Sequence, residues 1–163
     1  MLIRLAEEKD IEEILNIYNY EVLHGVSTFD IHPKTIEEWK IWYSQHTTDK
    51  YLLLVAVIND QVAGYASLSR YREKEAYDST VELSVYVSPA FRQQSVATQL
   101  MEHIIEKARN NEDIHLVVSV ITGGNAVSTH LHERFGFTHC GTIHEAGIKF
   151  GGFLDIDNYE LIV

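Results

Sequence analysis

Apolar positions along this chain follow two periods, alternation and helical spacing, and each change of period marks an element. "MLIRLA" sets apolar Leu2 and Leu5 among polar side chains and predicts a short first strand. In "EEKDIEEILNIYNYEV", Ile11, Ile14, Leu15, Tyr18 and Val22 recur at helical spacing, with acidic residues in the first turn where the helix dipole favours them. "HGVSTFDIHP" is a turn-rich connection, and "KTIEEWKIWYSQH" predicts a second helix with Thr35 placed to cap it. "YLLLVAVINDQVAGYASLSR" predicts two strands joined at Asn59-Asp60, followed by the charged loop "YREKEAYD". A strand over 80–87 leads into a helix over about 95–110, whose apolar stripe is Val96, Leu100, Ile104, Ile105 and Ala108. The continuous apolar run "IHLVVSVI" predicts a central strand buried on both faces. A helix over 126–135 stopped by Gly136, and strands near 137–146 and 153–162, complete an α/β chain with a mixed sheet. With no repeat, linker or low-complexity tract, residues 1–163 are expected to form a single domain.

Charge narrows the partners. A formal net charge of -11 removes the broad basic surface that general nucleic-acid binding needs, while leaving room for a local basic pocket. Cys140 is the one cysteine, which rules out an internal disulfide and suits a reducing compartment. The start "MLIRLAEEKD" turns acidic before any long apolar run, so no secretory signal is expected, and no stretch is long and apolar enough to span a bilayer. The expected location is the cytoplasm, with no membrane or nucleic-acid partner.

The densest chemistry lies in "VELSVYVSPAFRQQSVATQL", residues 81 to 100. Val81, Leu83, Val85 and Val87 point to one side of the strand, and Glu82, Ser84 and Tyr86 to the other. Glu82 either faces solvent or sits half-buried with a raised pKa, suited to taking a proton from an amine. The helix start after Arg92 is either an ordinary terminus capped by Ser95 or an anion site, where free N–H groups and the dipole meet a phosphate. Arg72 and Lys149 can each hold a substrate carboxylate or stand as solvated charges. Phe29 in "STFD" either closes a pocket or staples two helices. Trp39, Trp42 and Tyr43 read as core or subunit contact. His130, His132, His139, Cys140 and His144 invite a metal reading, but positions two apart on a helix face different ways and no metal site is expected. Cys140 reads as a buried, inert thiol.

The succession of strand, polar turn, helix, strand, "N-x-x-S" helix and "G-F" strand resembles the GNAT superfamily of acetyl-CoA-dependent N-acetyltransferases. Within it, "AYDSTVELSVYVSP", "HERFGF" and "AGIKFGGFLD" are similar to the phosphinothricin and methionine sulfone/sulfoximine acetyltransferases, over nearly the whole chain. The resemblance implies a GNAT acyl-CoA N-acyltransferase fold with acetyl-CoA as co-substrate. It implies that the backbone of Val85, Tyr86 and Val87 pairs with the pantetheine arm, and that Arg92, Gln93, Gln94, Ser95, Val96, Ala97 and Thr98 form the pyrophosphate loop. Asn125 and Ser128 would hold the cofactor further along, Glu82 would be the base, and His132 would protonate the departing thiolate. The loop ahead of Glu82 would shape the acceptor pocket, which brings in Arg72, Glu75, Ala76 and Tyr77. One position departs from the family pattern: the first motif glycine is Ser95, and a serine fits there if its backbone is ordinary and its side chain points away or bonds the phosphate.

The resulting expectation is an N-acetyltransferase that moves acetyl directly to the α-amine of a small amino-acid-like acceptor. Phosphinothricin, methionine sulfoximine and methionine sulfone lead that class, and the family expectation is a homodimer. The alternatives are another amine acceptor (a peptide N-terminus, a polyamine or an aminoglycoside) and a non-catalytic acyl-CoA-binding module.

Overall fold

The computed structural model describes all residues 1–163. Seven strands form one sheet: β1 (Leu2–Leu5), β2 (Leu53–Ile58), β3 (Gln61–Arg70), β4 (Thr80–Val87), β5 (Leu116–Thr122), β6 (Thr138–Lys149) and β7 (Gly152–Ile162), in the order β1-β2-β3-β4-β5-β7-β6. Only β4 and β5 run parallel, and their pairing is short, Thr80 to Glu82 against Leu116 to Val118. Beyond Glu82 the two strands part, so the side of β4 that faced β5 is left without a strand partner. The helices are α1 (Ile11–His24), α2 (Ile36–Ser44), α3 (Val96–Arg109) and α4 (Ala126–Arg134).

Alternation along β2 and β3 splits the core into two layers. Leu52, Leu54, Ala56, Ala66 and Leu68 face α3, whose stripe of Val96, Leu100, Met101, Ile104, Ile105 and Ala108 is buried against them. Leu53, Val55, Val62 and Tyr65 face the other way, onto Ile11, Ile14, Leu15 and Ile17 of α1 and Trp39 of α2. A sheet apolar on both faces must be covered on both, which is why helices stand on either side. The local signals in the sequence act as expected. Thr35 caps α2 and Glu38 reciprocates as a capping box. Asn59 and Asp60 both take positive φ in a two-residue hairpin turn. Gly136, at φ 90, lets the chain leave α4.

Two expectations change. Val120 in β5 is 40% exposed, so that strand is not buried on both faces; it borders open clefts where β4 has moved away. Cys140 is exposed rather than buried, its thiol donating to the Asn158 carbonyl, and partial desolvation pushes its pKa up. No helix is long and apolar enough to cross a membrane.

Candidate active site

Two clefts meet where β4 and β5 diverge, sharing Ser27, Ser84, Tyr86, Val120 and Thr122 as common wall. The larger, about 950 Å³, runs along Leu83 to Val87, over the start of α3 and up to α4. The smaller, about 600 Å³, lies between the sheet and α1–α2. The segment after α1 separates them and is tied at many points: the Thr122 hydroxyl donates to the Val26 carbonyl, Tyr86 to the Ser27 carbonyl, and Asn19 exchanges two hydrogen bonds with the backbone of Lys34.

The larger cleft has the features of a cofactor site. The backbone of Val85, Tyr86 and Val87 is paired to β3 on one side and open on the other. An extended chain can add to that edge as a strand would. Arg92, Gln93, Ser95, Val96, Ala97 and Thr98 line the far end, where the first turn of α3 presents unpaired N–H groups. Gln94 is not part of the lining; its side chain turns back to the Ala90 carbonyl. Asn125 and Ser128 both line the cleft, with the Asn125 side chain capping α4 by accepting from the Ser128 N–H. These groups suit a phosphorylated, pantetheine-like ligand.

Ser95 does not behave as expected for either a cap or an ordinary residue. It sits at φ 61, ψ 17 in the left-handed region, and its side chain makes no capping bond. A side chain there costs about 1–2 kcal/mol that glycine avoids. Ser95→Gly should therefore raise the melting temperature by about 2–4 °C, once glycine's extra unfolded-state entropy offsets part of the relief. Coenzyme A affinity should stay level or tighten. Thermal denaturation and calorimetry check the two, and abolished binding would make Ser95 a phosphate ligand.

In the smaller cleft the floor is three cross-strand pairs of β3 and β4: Tyr65 with Tyr86, Ser67 with Ser84, and Ser69 with Glu82. Glu82 is half-buried and makes no side-chain hydrogen bond or ion pair, so desolvation pushes its carboxyl above the ordinary range. Trp39 and Trp42, stacked with centroids 4.6 Å apart, wall the cleft with Tyr18. They are core residues and pocket wall at once, a role their helical spacing did not reveal. Phe29 also lines the cleft, its ring seated on Gly147, where any side chain would collide with it. Asp30 accepts from Tyr18 and pairs with Lys34 at 3.3 Å.

The other expected acceptor contacts lie elsewhere. Arg72 is exposed and packs over the rings of Tyr71 and Tyr77; with Glu75, Ala76 and Tyr77, which form a 3₁₀ turn, it is outside the lining of both clefts. Lys149 is neither a solvated charge nor a cleft residue. It is 5% exposed, donates to the carbonyls of Glu21 (3.2 Å) and Thr28 (2.8 Å), and burial pulls its pKa down. Its work is to anchor the segment that carries Phe29. His132 is buried, with Nδ1 donating to the Ser128 carbonyl at 2.8 Å. Nε2 then accepts from the Ser119 hydroxyl at 3.0 Å, and burial lowers the imidazole pKa. His132 and Ser119 both line the larger cleft, but both ring nitrogens of His132 are engaged. His130 and His144 are exposed, on different elements, and nowhere do three or more His, Cys, Asp or Glu side chains gather in a way that could hold a metal.

A family model described as the acetyltransferase (GNAT) domain matches residues 3–156. The chain belongs to the GNAT acetyltransferase family. This acetyltransferase is 37% identical over 161 residues to a phosphinothricin N-acetyltransferase of Streptomyces coelicolor, covering 97% of this chain and 94% of that one. It is 34% identical over 161 residues to an L-methionine sulfoximine/L-methionine sulfone acetyltransferase of Salmonella typhimurium, covering 99% and 94%. The crystal structure of a GNAT phosphinothricin acetyltransferase from Sinorhizobium meliloti in complex with acetyl-CoA superposes with a TM-score of 0.93 at 29% identity, covering 99% of this chain and 88% of that one. The enzyme is thus an acetyl-CoA-dependent N-acetyltransferase acting on a small amine, on the mixed α/β GNAT fold.

Proposed function

We propose that this acetyltransferase acetylates the α-amine of a small amino-acid-like acceptor, with methionine sulfone, methionine sulfoximine and phosphinothricin as the acceptors to be tried first. One observation carries the reading. Glu82 stands unpaired in the smaller cleft, on the strand whose next residues open onto the larger one. A base in one cleft and a strand edge in the other let amine and acyl donor meet at Ser84 and Tyr86. The acceptor classes come from the relatives in Streptomyces coelicolor and Salmonella typhimurium.

Acetyl-CoA supplies the acetyl group as an activated thioester. Arg92 and the first turn of α3 hold its phosphates, and Val85 to Val87 orient the pantetheine along their free edge. Glu82 takes one proton from the incoming ammonium, leaving the amine lone pair free to attack. The second amine proton leaves as the C–N bond is completed, taken up through the Ser119 hydroxyl by the unprotonated Nε2 of His132. His132 then returns that proton through Ser119 to the departing sulfur, which leaves as free thiol. Residues 1–163 act as one catalytic domain in the reducing cytoplasm. A homodimer would cover the exposed Ile143, Ile148 and Phe153 of β6 and β7, and sedimentation velocity reads its mass.

The test is a panel of amines assayed for thiol release from acetyl-CoA. Methionine sulfone and sulfoximine should show the highest kcat/KM. Turnover confined to polyamines or aminoglycosides would reject the acceptor class, and coenzyme A binding without any turnover would favour a non-catalytic module.

A further inference from the structure

His46 is a buried, titratable group that the reaction as derived does not use. It is 6% exposed and lies just past α2, with both ring nitrogens engaged. Nδ1 is 2.8 Å from the Trp42 carbonyl, which can only accept, so Nδ1 carries the proton. Nε2 is therefore the acceptor in its 2.8 Å bond with Ser69 Oγ, and the Ser69 hydroxyl is the donor. Burial lowers the His46 pKa and keeps the ring neutral in this arrangement. Ser69 has one proton, and it is committed to His46.

That commitment decides what Ser69 shows to the smaller cleft, which it lines. With its hydrogen turned away, the oxygen is left with a lone pair and no donor. Ser69 sits directly across the β3–β4 pair from Glu82, at a spacing where paired side chains are about 4.5–5.5 Å apart at Cβ. Apart from His46, its hydroxyl bonds to no side chain, Glu82 included. An alkylammonium is three donors and no acceptor. Two adjacent acceptors, one charged and one neutral, suit such a group. If Glu82 takes one proton, the other acceptor still holds an N–H and aims the lone pair.

We propose that Ser69 is a second acceptor-binding residue beside Glu82, whose oxygen receives an N–H of the incoming amine, and that His46 is a positioning residue that fixes its hydroxyl. This rests on the reading of Glu82 as the group that meets the acceptor amine. Without Nε2, the Ser69 proton is free to turn into the cleft and face the ammonium donor to donor. His46 thus affects the acceptor through Ser69 alone.

The experiment measures methionine sulfone binding to the coenzyme A complex by calorimetry, alongside acceptor kcat/KM, in wild type, Ser69→Ala, Ser69→Thr, His46→Phe and the double variant Ser69→Ala/His46→Phe. Ser69→Ala should weaken methionine sulfone binding roughly tenfold, the value of one hydrogen bond to a charged group. Coenzyme A affinity should not change. Ser69→Thr, which keeps the hydroxyl, should restore most of the loss. His46→Phe should match Ser69→Ala, and the double variant should be no worse than either, since both remove one interaction. Should His46→Phe fail to fold, the contrast between Ser69→Ala and Ser69→Thr still decides. Unchanged methionine sulfone binding in Ser69→Ala overturns the inference, as does an equal loss of coenzyme A affinity, which would mark a structural role. Absence of methionine sulfone binding in the wild type itself would instead reject the acceptor class, and this inference with it.

Discussion

Replacing Glu82 by glutamine should lower turnover with methionine sulfone about a hundredfold or more near neutral pH, the usual contribution of a general base. Coenzyme A binding should survive, because Glu82 lines the smaller cleft and not the larger one. The amide keeps the side chain's shape and removes only its basicity. Desolvation without a partner raises the Glu82 carboxyl, so the wild-type kcat/KM should fall on the acid side at a pH above the ordinary glutamate value. That limb should be missing in Glu82→Gln. The deficit should shrink towards about pH 10, where the acceptor amine arrives neutral. The same burial carries a stability consequence of opposite sign. A carboxyl whose pKa is raised on folding binds more protons in the folded state, so stability falls as pH rises from the ordinary value through the raised one. Above that window the wild type bears the whole penalty, and Glu82→Gln should be the more stable protein at pH 7 in urea melts. A slower but more stable variant is the expected signature of a catalytic group. Wild-type turnover in Glu82→Gln across about pH 6 to 10 would reduce Glu82 to a strand residue.

Arg92→Ala should weaken coenzyme A at least about tenfold, as expected for one charge-assisted contact to a phosphate. A second effect adds to it. Arg92 Nη2 lies 2.7 Å from Glu21 Oε1, where the Arg92 side chain is 52% exposed and that of Glu21 only 10%. Glu21 itself lines the cofactor cleft. Solvent on the arginine side screens the pair and keeps its contribution to stability small. Its effect on binding is larger, because without Arg92 a buried carboxylate is left facing the phosphates. Glu21→Gln alone should tighten coenzyme A severalfold, and adding it to Arg92→Ala should recover part of the lost affinity. Titration calorimetry on the three variants and the wild type decides. Unchanged affinity in Arg92→Ala would remove this loop from phosphate binding.

Much of the fold can be read locally. The stripe of Val96, Leu100, Ile104, Ile105 and Ala108 specifies α3, Thr35 and Gly136 mark helix ends, and Asn59-Asp60 makes a hairpin, because each depends on neighbours a few residues away. The alternation in 81–87 likewise puts Glu82, Ser84 and Tyr86 on one face, and with "RQQSVAT" it points to the stretch that lines both clefts. What lay across space from that stretch was not readable. Glu21 meets Arg92 from α1, and His46 meets Ser69 from the far side of α2. Neither pair has a spacing that any local period produces. Trp39 and Trp42 could be assigned to a buried face by their spacing, but not to the rim of a cleft, since a helix stripe carries no record of where its covering sheet ends. Lys149 shows the same limit from the other side. A lysine beside exposed phenylalanines reads as solvated until the fold brings two backbone carbonyls to its ammonium. Sequence by itself determined the elements and the residues of one strand and loop, because those rest on short-range sterics and periodicity, while its motifs carried the resemblance to the family. The parting of β4 from β5, the two clefts it opens, the unpaired state of Glu82 and the partners of Arg92 and Ser69 were decided by tertiary structure alone, because they depend on which distant side chains the sheet order brings together.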